Sequence, residues 1–205
     1  MANIDAAFGL RPYKMLGAGA NTNGMMTFDI QTTGTAGTSS TIYQGTPVIP
    51  LANGLIDIVG AAAGGTVPIL GAMMGCNYTD LNGTPTWSPQ YPGTASIKSS
   101  TRATCVIAAH PDQLFLINAD ASLTQAGVHR NANFASATSG DSTTGISSAE
   151  LAVSTLAATN TLNLRIVGLE DSPSNADTSA AGMLAIVMLN NHFYRYNANG
   201  TGQGI

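Results

Sequence analysis

The 205-residue chain contains few charged residues: Asp, Glu, Lys and Arg together make up 9% of it. An average soluble domain has about a quarter. The two lysines and five arginines stand singly along the chain, and the net charge is −4. Binding to nucleic acid draws its affinity from clustered cations that displace counterions, and no such cluster is present. The sequence therefore does not predict a nucleic acid as a direct partner.

Long apolar runs are also scarce. Residues 58–74 form an uncharged, largely apolar segment, but it contains a proline and several glycines and is shorter than the ~20 residues that a membrane-spanning helix needs. Two strands joined by a glycine-rich turn explain it better, so no membrane is expected.

The opening MANIDAAFGLRP has an acidic residue and no apolar core, unlike a secretory signal. We expect synthesis and use in a cytosol.

Cysteine is limited to Cys76 and Cys105, and the three histidines are isolated from one another. In a reducing compartment, two cysteines that border apolar strands are expected to be free and buried, with a disulfide only if the fold brings them together. Neither residue type shows the spacing of a metal-binding motif. The segment from Glu170 to Asp177 carries oxygen ligands suited to a hard cation, but it lacks EF-hand spacing, and a solvated acidic loop is the alternative.

Catalytic motifs are missing as well. The glycine-rich stretches GAGANTNG and AAAGGT have neither the spacing of a dinucleotide turn nor the lysine of a phosphate loop. No serine lies in the G-x-S-x-G turn of a nucleophile elbow. The sequence therefore predicts a protein that is not an enzyme and that uses no cofactor and no catalytic metal.

Alternating apolar residues predict strands along most of the chain. In residues 102–120, two such segments flank a turn containing Pro111 and Asp112, which predicts a hairpin at the centre of the core. Asn53-Gly54 and Asn82-Gly83 predict two more hairpins, because both residue types tolerate a positive φ. Counting the segments gives about nine or ten strands at the spacing of a sandwich or barrel.

The predicted fold is mainly β: one antiparallel β-sandwich or jelly-roll-like barrel, with an extended N-terminal arm and little helix. Residues 1–24 form the arm and hinge, and residues 25–205 form the β-rich domain with a mobile C-terminal tail. The arm docks onto a neighbour or, alternatively, is a first strand that closes the domain's own sheet. A short helix is predicted near Ser147 and Glu150, which have capping-box spacing ahead of apolar residues at helical intervals.

Several blocks resemble a family of tailed-phage virion structural proteins, small head proteins of the decoration or cement type. The blocks are MANIDAAFGLRPY at the start, YQGTPV at 43–48, GCNYTDLNGTPTWSPQYPG at 75–93, LNLRIVGL at 162–169 and LNNHFY at 189–194. The resemblance implies a protein that binds the outside of an expanded phage head and clamps neighbouring major capsid protein subunits. It implies assembly in the host bacterial cytoplasm and a homo-oligomer, for which threefold joints favour a trimer over a dimer.

Within that resemblance, two groups of residues are expected to contact the capsid. The first is the arm around Phe8, Arg11, Pro12 and Tyr13, where Arg11 would pair with an acidic patch of the capsid while Phe8 and Tyr13 fill apolar pockets. The second is the turn-rich aromatic region of Trp87 and Tyr91. The alternative function is a β module of a phage tail, fibre or spike, in which the aromatic turn would stack on a host-surface glycan.

Overall fold

A computed structural model of the chain describes residues 3–17, 24–30, 40–60 and 67–195. Its antiparallel sheets pack together as a β-sandwich, which confirms the predicted fold class, and they do not close into a barrel. The helical content of these residues is three single 3-10 turns. The strands are β1 Arg11–Met15, β2 Met25–Asp29, β3 Pro47–Pro50, β4 Ile56–Ile58, β5 Gly71–Thr79, β6 Pro85–Ser88, β7 Thr104–Ala108, β8 Gln113–Asn118, β9 Asn131–Ala135, β10 Gly140–Asp141, β11 Ile146–Ser147, β12 Glu150–Ala157, β13 Leu164–Leu169 and β14 Leu184–Leu189.

Sheet I has the order β1-β8-β14-β13-β9-β12, and all of its strand pairs are antiparallel. Its middle strands are rich in aliphatic residues, and every residue of β8 is buried. One face of the sheet supplies most of the first core cluster, to which sheet II adds Ala72 and Ala108 and the segment before β5 adds Ile69. The two sheets therefore share a core along this face.

Sheet II has the order β2-β7-β5-β3-β4, and β6 pairs with β5. Beyond the end of β2, Ile30 bridges to Ile56, so the two edges of this sheet touch at one point. A second buried cluster lies against the sheet and contains Met73, Cys76 and Ile107 among others. The short strands β10 and β11 form a separate hairpin.

The predicted central hairpin is wrong, although its strands and its turn exist. β7 pairs with β2 and β5 in sheet II, whereas β8 pairs with β1 and β14 in sheet I. The turn between them is closed by the N–H of Gln113, which donates to the carbonyl of His110 at 3.0 Å. This turn, residues 109–112, therefore carries the chain from one sheet to the other.

The N-terminal segment belongs to the sandwich and is not an arm that stands apart from residues 25–205. β1 is the edge strand of sheet I, and Leu10 before it is completely buried. Gly9 adopts φ +72°, and a Cβ there would lie 2.5 Å from the carbonyl oxygen of Gly45. The second alternative, a strand that closes the domain's own sheet, is the correct one. Most of the predicted hinge GAGANTNG, namely residues 18–23, and the predicted tail after Tyr196 lie outside the described residues.

The hairpins at Asn53-Gly54 and Asn82-Gly83 are confirmed as β3–β4 and β5–β6, with a positive φ at each glycine. The predicted helix near Ser147 is wrong, because Glu150–Ala157 is strand β12, paired with β9. The Ser147 hydroxyl accepts the N–H of Ala149 in a local turn instead of capping a helix. Alanine-rich periodicity fits either element, and the pairing with β9 decides between them.

Candidate functional site

Exposed apolar side chains gather at one end of the sandwich, around the turn 109–112. Nine large apolar side chains are exposed in the described part of the chain, and five of them attach to segments that meet this turn. We call these five residues the turn patch: Tyr13, Leu16, Met25, Met26 and Tyr194, with exposed fractions from 41% to 49%. Scattered single apolar residues are normal on a surface, but a gathered set marks an interaction site.

Backbone contacts hold these segments against the turn. The N–H of Leu16 donates to the carbonyl of Asp112 at 2.8 Å, and the N–H of Ala109 donates to the carbonyl of Gly24 at 3.0 Å. An ion pair joins Arg195, the neighbour of Tyr194, to the Asp112 carboxylate. Three stretches of chain thus place exposed apolar side chains next to the same turn.

Strand β1 lies at the edge of sheet I but is poorly suited to pairing with another strand. Pro12 has no N–H to donate, and the register with β8 shifts between Pro12 and Lys14. Prolines and irregularities of this kind protect sheet edges from strand addition. The exposed groups at this edge are therefore side chains such as Tyr13 and Leu16, and not free strand backbone.

The predicted arm residues divide between two surfaces. Tyr13 belongs to the turn patch, and Pro12 is half-buried in β1. Phe8 and Arg11 instead line a small pocket of about 230 Å³, with the guanidinium carbon of Arg11 4.5 Å from the centroid of the Phe8 ring. The residues that line this pocket, the Arg11 pocket, are Ile4, Ala6, Phe8, Arg11, Ser174, Gly182 and Leu184. Phe8 therefore forms a wall of this pocket.

One wall of the Arg11 pocket comes from the loop that contains the candidate cation ligands. Asn175 is buried, and its side chain donates to the carbonyls of Glu170 and Leu184 and accepts the N–H of Leu184. Asn3 binds the backbone of the same loop, donating to the carbonyl of Asp177 at 2.7 Å. Asn175 thus holds the loop in place. Within the described residues, no group of three or more His, Cys, Asp or Glu side chains is arranged to hold a metal ion.

Trp87 and Tyr91 do not form one surface. Trp87 is 62% exposed on β6, and a Cβ on Gly75 would lie 2.9 Å from its indole ring, so the ring rests on the glycine. Tyr91 is completely buried in the second core cluster, and burial raises the pKa of its hydroxyl to about 12. The expectation that Tyr91 contacts a partner is wrong, because its side chain seals the interior below the loop.

The two cysteines lie directly opposite each other on β5 and β7. Both are free and buried, as predicted. Burial raises the pKa of each thiol to about 12. Burial therefore disfavours the thiolate form that nucleophilic chemistry requires.

Comparisons of the chain with models of known protein families, with curated proteins and with solved structures found no match. In the part of the chain that the structure describes, no helix is long and apolar enough to cross a membrane.

Four members of the turn patch were missed by the reasoning from sequence: Leu16, Met25, Met26 and Tyr194. One signal was available, since adjacent methionines in a strand point to opposite faces and cannot both enter the same core. Tyr194 and Leu16 carry no such signal. Their place depends on contacts with a turn about eighty or more residues away in the chain.

Proposed function

We propose that this chain is a capsid decoration protein that binds the outer surface of an expanded phage head and clamps neighbouring major capsid subunits. The observation that carries the proposal is the turn patch, a set of exposed apolar side chains from three segments that meet one turn of the sandwich. Methionine and tyrosine are well suited to such a contact, because methionine adapts its shape and tyrosine buries a large area. The resemblance of the sequence blocks to virion proteins supports the same function.

The mechanism is mechanical. A head filled with DNA is under outward pressure, and a protein that spans subunit joints adds buried interface that must be broken before the joints separate. Specific interfaces bury about 1,200–2,000 Å² in total. Each contact can be modest if several copies in an oligomer engage the shell together, because the later contacts become intramolecular. The protein would then be located on the outer capsid surface after assembly in the bacterial cytoplasm.

Co-sedimentation with DNA-free shells of the major capsid protein tests the proposal. Expanded and unexpanded shells are incubated with increasing amounts of the purified protein, and the bound fraction is measured in the pellet. We expect saturable binding to expanded shells alone, at a fixed ratio to shell subunits. Absence of binding to both forms would refute the proposed function.

A second candidate is binding of a glycan, favoured by the indole of Trp87. The ring rests on Gly75 and is largely exposed, and Asn77 lies opposite it on β5 with an exposed side chain. A flat aromatic face beside a polar amide is the arrangement on which sugar rings stack. Because Trp87 is the single tryptophan, its fluorescence would report binding directly. A change on titration with host-surface polysaccharide, together with loss of calorimetrically measured binding in Trp87→Ala, would support a tail, fibre or spike module.

A further inference from the structure

Arg11 is a cation without an acidic partner in the part of the chain that the structure describes. The ion pairs found there are Arg102 with Asp29 and Arg195 with Asp112. Arg11 is held by the Phe8 ring instead, which orients the guanidinium and leaves its N–H groups available. Guanidinium groups prefer to bind carboxylates in a bidentate geometry. A carboxylate is therefore the group that this cation suits best.

The Arg11 pocket beside this cation is apolar and small. Its volume of about 230 Å³ lies below the range of roughly 300–1,000 Å³ typical of sites for cofactors and drug-sized ligands. An aliphatic side chain matches both its size and its lining. Pocket and cation together suit an aliphatic residue that stands next to an acidic one.

The chain itself exposes such a pair at the rim of the same pocket. Ile4 is 70% exposed, the largest fraction for any large apolar side chain in the described residues. Asp5 beside it is also exposed. Burial raises the pKa of Glu150, and the nearby Asp5 and Asp120 raise it further, so acidic side chains lie on this side of the rim. The surface therefore carries both halves of a complementary contact.

We propose that two copies of the chain associate through this surface, with Ile4 of each copy inserted into the Arg11 pocket of the other. Asp5 of each copy then pairs with Arg11 of the other copy. A two-fold axis fits best, because the inserted pair and the pocket share one patch and an isologous contact uses both at once. The contact does not involve the turn patch, so it is independent of the proposed binding to the shell.

The rim is already fixed before association. Asn3 hydrogen-bonds to the carbonyl of Asp177 and accepts its N–H, and the amide of Asn118 donates to the carbonyl of Ile4 at 3.4 Å. Gly182, at φ +80°, lies so close to Asp5 that a Cβ would be 2.8 Å from the Asp5 Cα. A rigid rim loses little conformational entropy on binding, which favours association of a small interface.

Charge reversal measured by sedimentation velocity tests the inference on the full chain. We expect a concentration-dependent dimer for the unmodified protein. Arg11→Asp or Asp5→Arg alone should weaken association by about 100-fold, because each change acts at two symmetric contacts worth roughly 10-fold each. The double variant Arg11→Asp with Asp5→Arg should recover the dimer. Arg130→Asp, an equal charge change on another exposed arginine, is the matched control and should leave the dimer unchanged.

Ile4→Ser tests the apolar half of the contact without changing the charge. In sedimentation velocity this variant should also show a weaker dimer. Circular dichroism confirms folding of each variant, as expected for substitutions of exposed side chains. A monomer at all concentrations, a trimer that tolerates both charge reversals, or a double variant that stays dissociated would overturn the inference. If the dimer forms as described but shells are not bound, the proposed function fails and this inference stands.

Discussion

His192 should make the sandwich sensitive to acid. Its side chain is 1% exposed, and burial lowers the pKa of the imidazole to about 4 from an ordinary value of 6.5. The charges of Arg195 and His110 lower the pKa further, while the carbonyls of Ala109 and Leu70 oppose the shift. The N–H of Tyr194 donates to Nδ1 at 3.0 Å. A proton on Nδ1 would therefore break that hydrogen bond.

The direction in which stability changes with pH follows from the direction of the pKa shift of His192. Since the folded pKa is lower than the unfolded one, the unfolded chain binds the proton first, and stability is lost as the pH falls from 6.5 towards 4. Each unit between the two pKa values is worth about 1.4 kcal/mol. The free energy of unfolding should decrease by roughly 2.5 kcal/mol between pH 7.5 and pH 4.5 on account of His192 alone.

Urea unfolding followed by circular dichroism at pH 7.5, 6.5, 5.5 and 4.5 measures this decrease. His192→Asn is the matched variant, because its side-chain oxygen can accept the N–H of Tyr194 but does not titrate. Carboxyl groups titrate equally in both proteins and cancel in the difference. We expect the unmodified protein to lose about 2.5 kcal/mol more than the variant across this range. Equal pH dependence in the two proteins would refute the reasoning.

Three further predictions concern single contacts. Gly75→Ala should displace the indole that rests on it and shift the emission of Trp87, while an unchanged emission spectrum would show that the ring lies elsewhere. Asn175→Ala removes three hydrogen bonds of 2.7–3.1 Å from a buried site. Urea unfolding should therefore show that the free energy of unfolding falls by about 2–4 kcal/mol. A decrease below about 0.5 kcal/mol would contradict the role of this side chain. Cys76 and Cys105 should resist a thiol-reactive dye at pH 8, because both thiols are buried and burial raises their pKa. Both should react in denaturant, and rapid reaction of the folded protein would contradict this burial.

Local signals predicted local structure well. Asn53-Gly54 and Asn82-Gly83 predicted their hairpins because the turn residues themselves determine the conformation of a short loop. Residues 104–118 show the limit of such signals. Their periodicity correctly predicted two strands and a turn, but which strands pair depends on distant segments, and β8 pairs with β1 and β14 instead of β7.

The candidate site was less predictable, because exposure is a property of the assembled fold. Tyr91 and Trp87 stand close together in the sequence, yet one is buried completely and the other is largely exposed. Leu16 and Tyr194 become neighbours of the same turn through contacts that no periodicity encodes. Phe8 and Arg11 line one pocket with residues from distant segments, a placement that no local pattern predicts.

The central claim is that the turn patch binds the shell, and a paired substitution tests it most directly. Leu16→Lys with Met25→Lys places two charges in the patch, whereas Leu81→Lys places one on an apolar side chain that is 65% exposed in the β5–β6 turn. Affinity for expanded shells is measured by co-sedimentation for both proteins, after circular dichroism confirms that they fold. We predict that the patch variant loses at least about 10-fold in affinity and the Leu81 variant does not. Equal affinity of the patch variant and the unmodified protein would contradict the account.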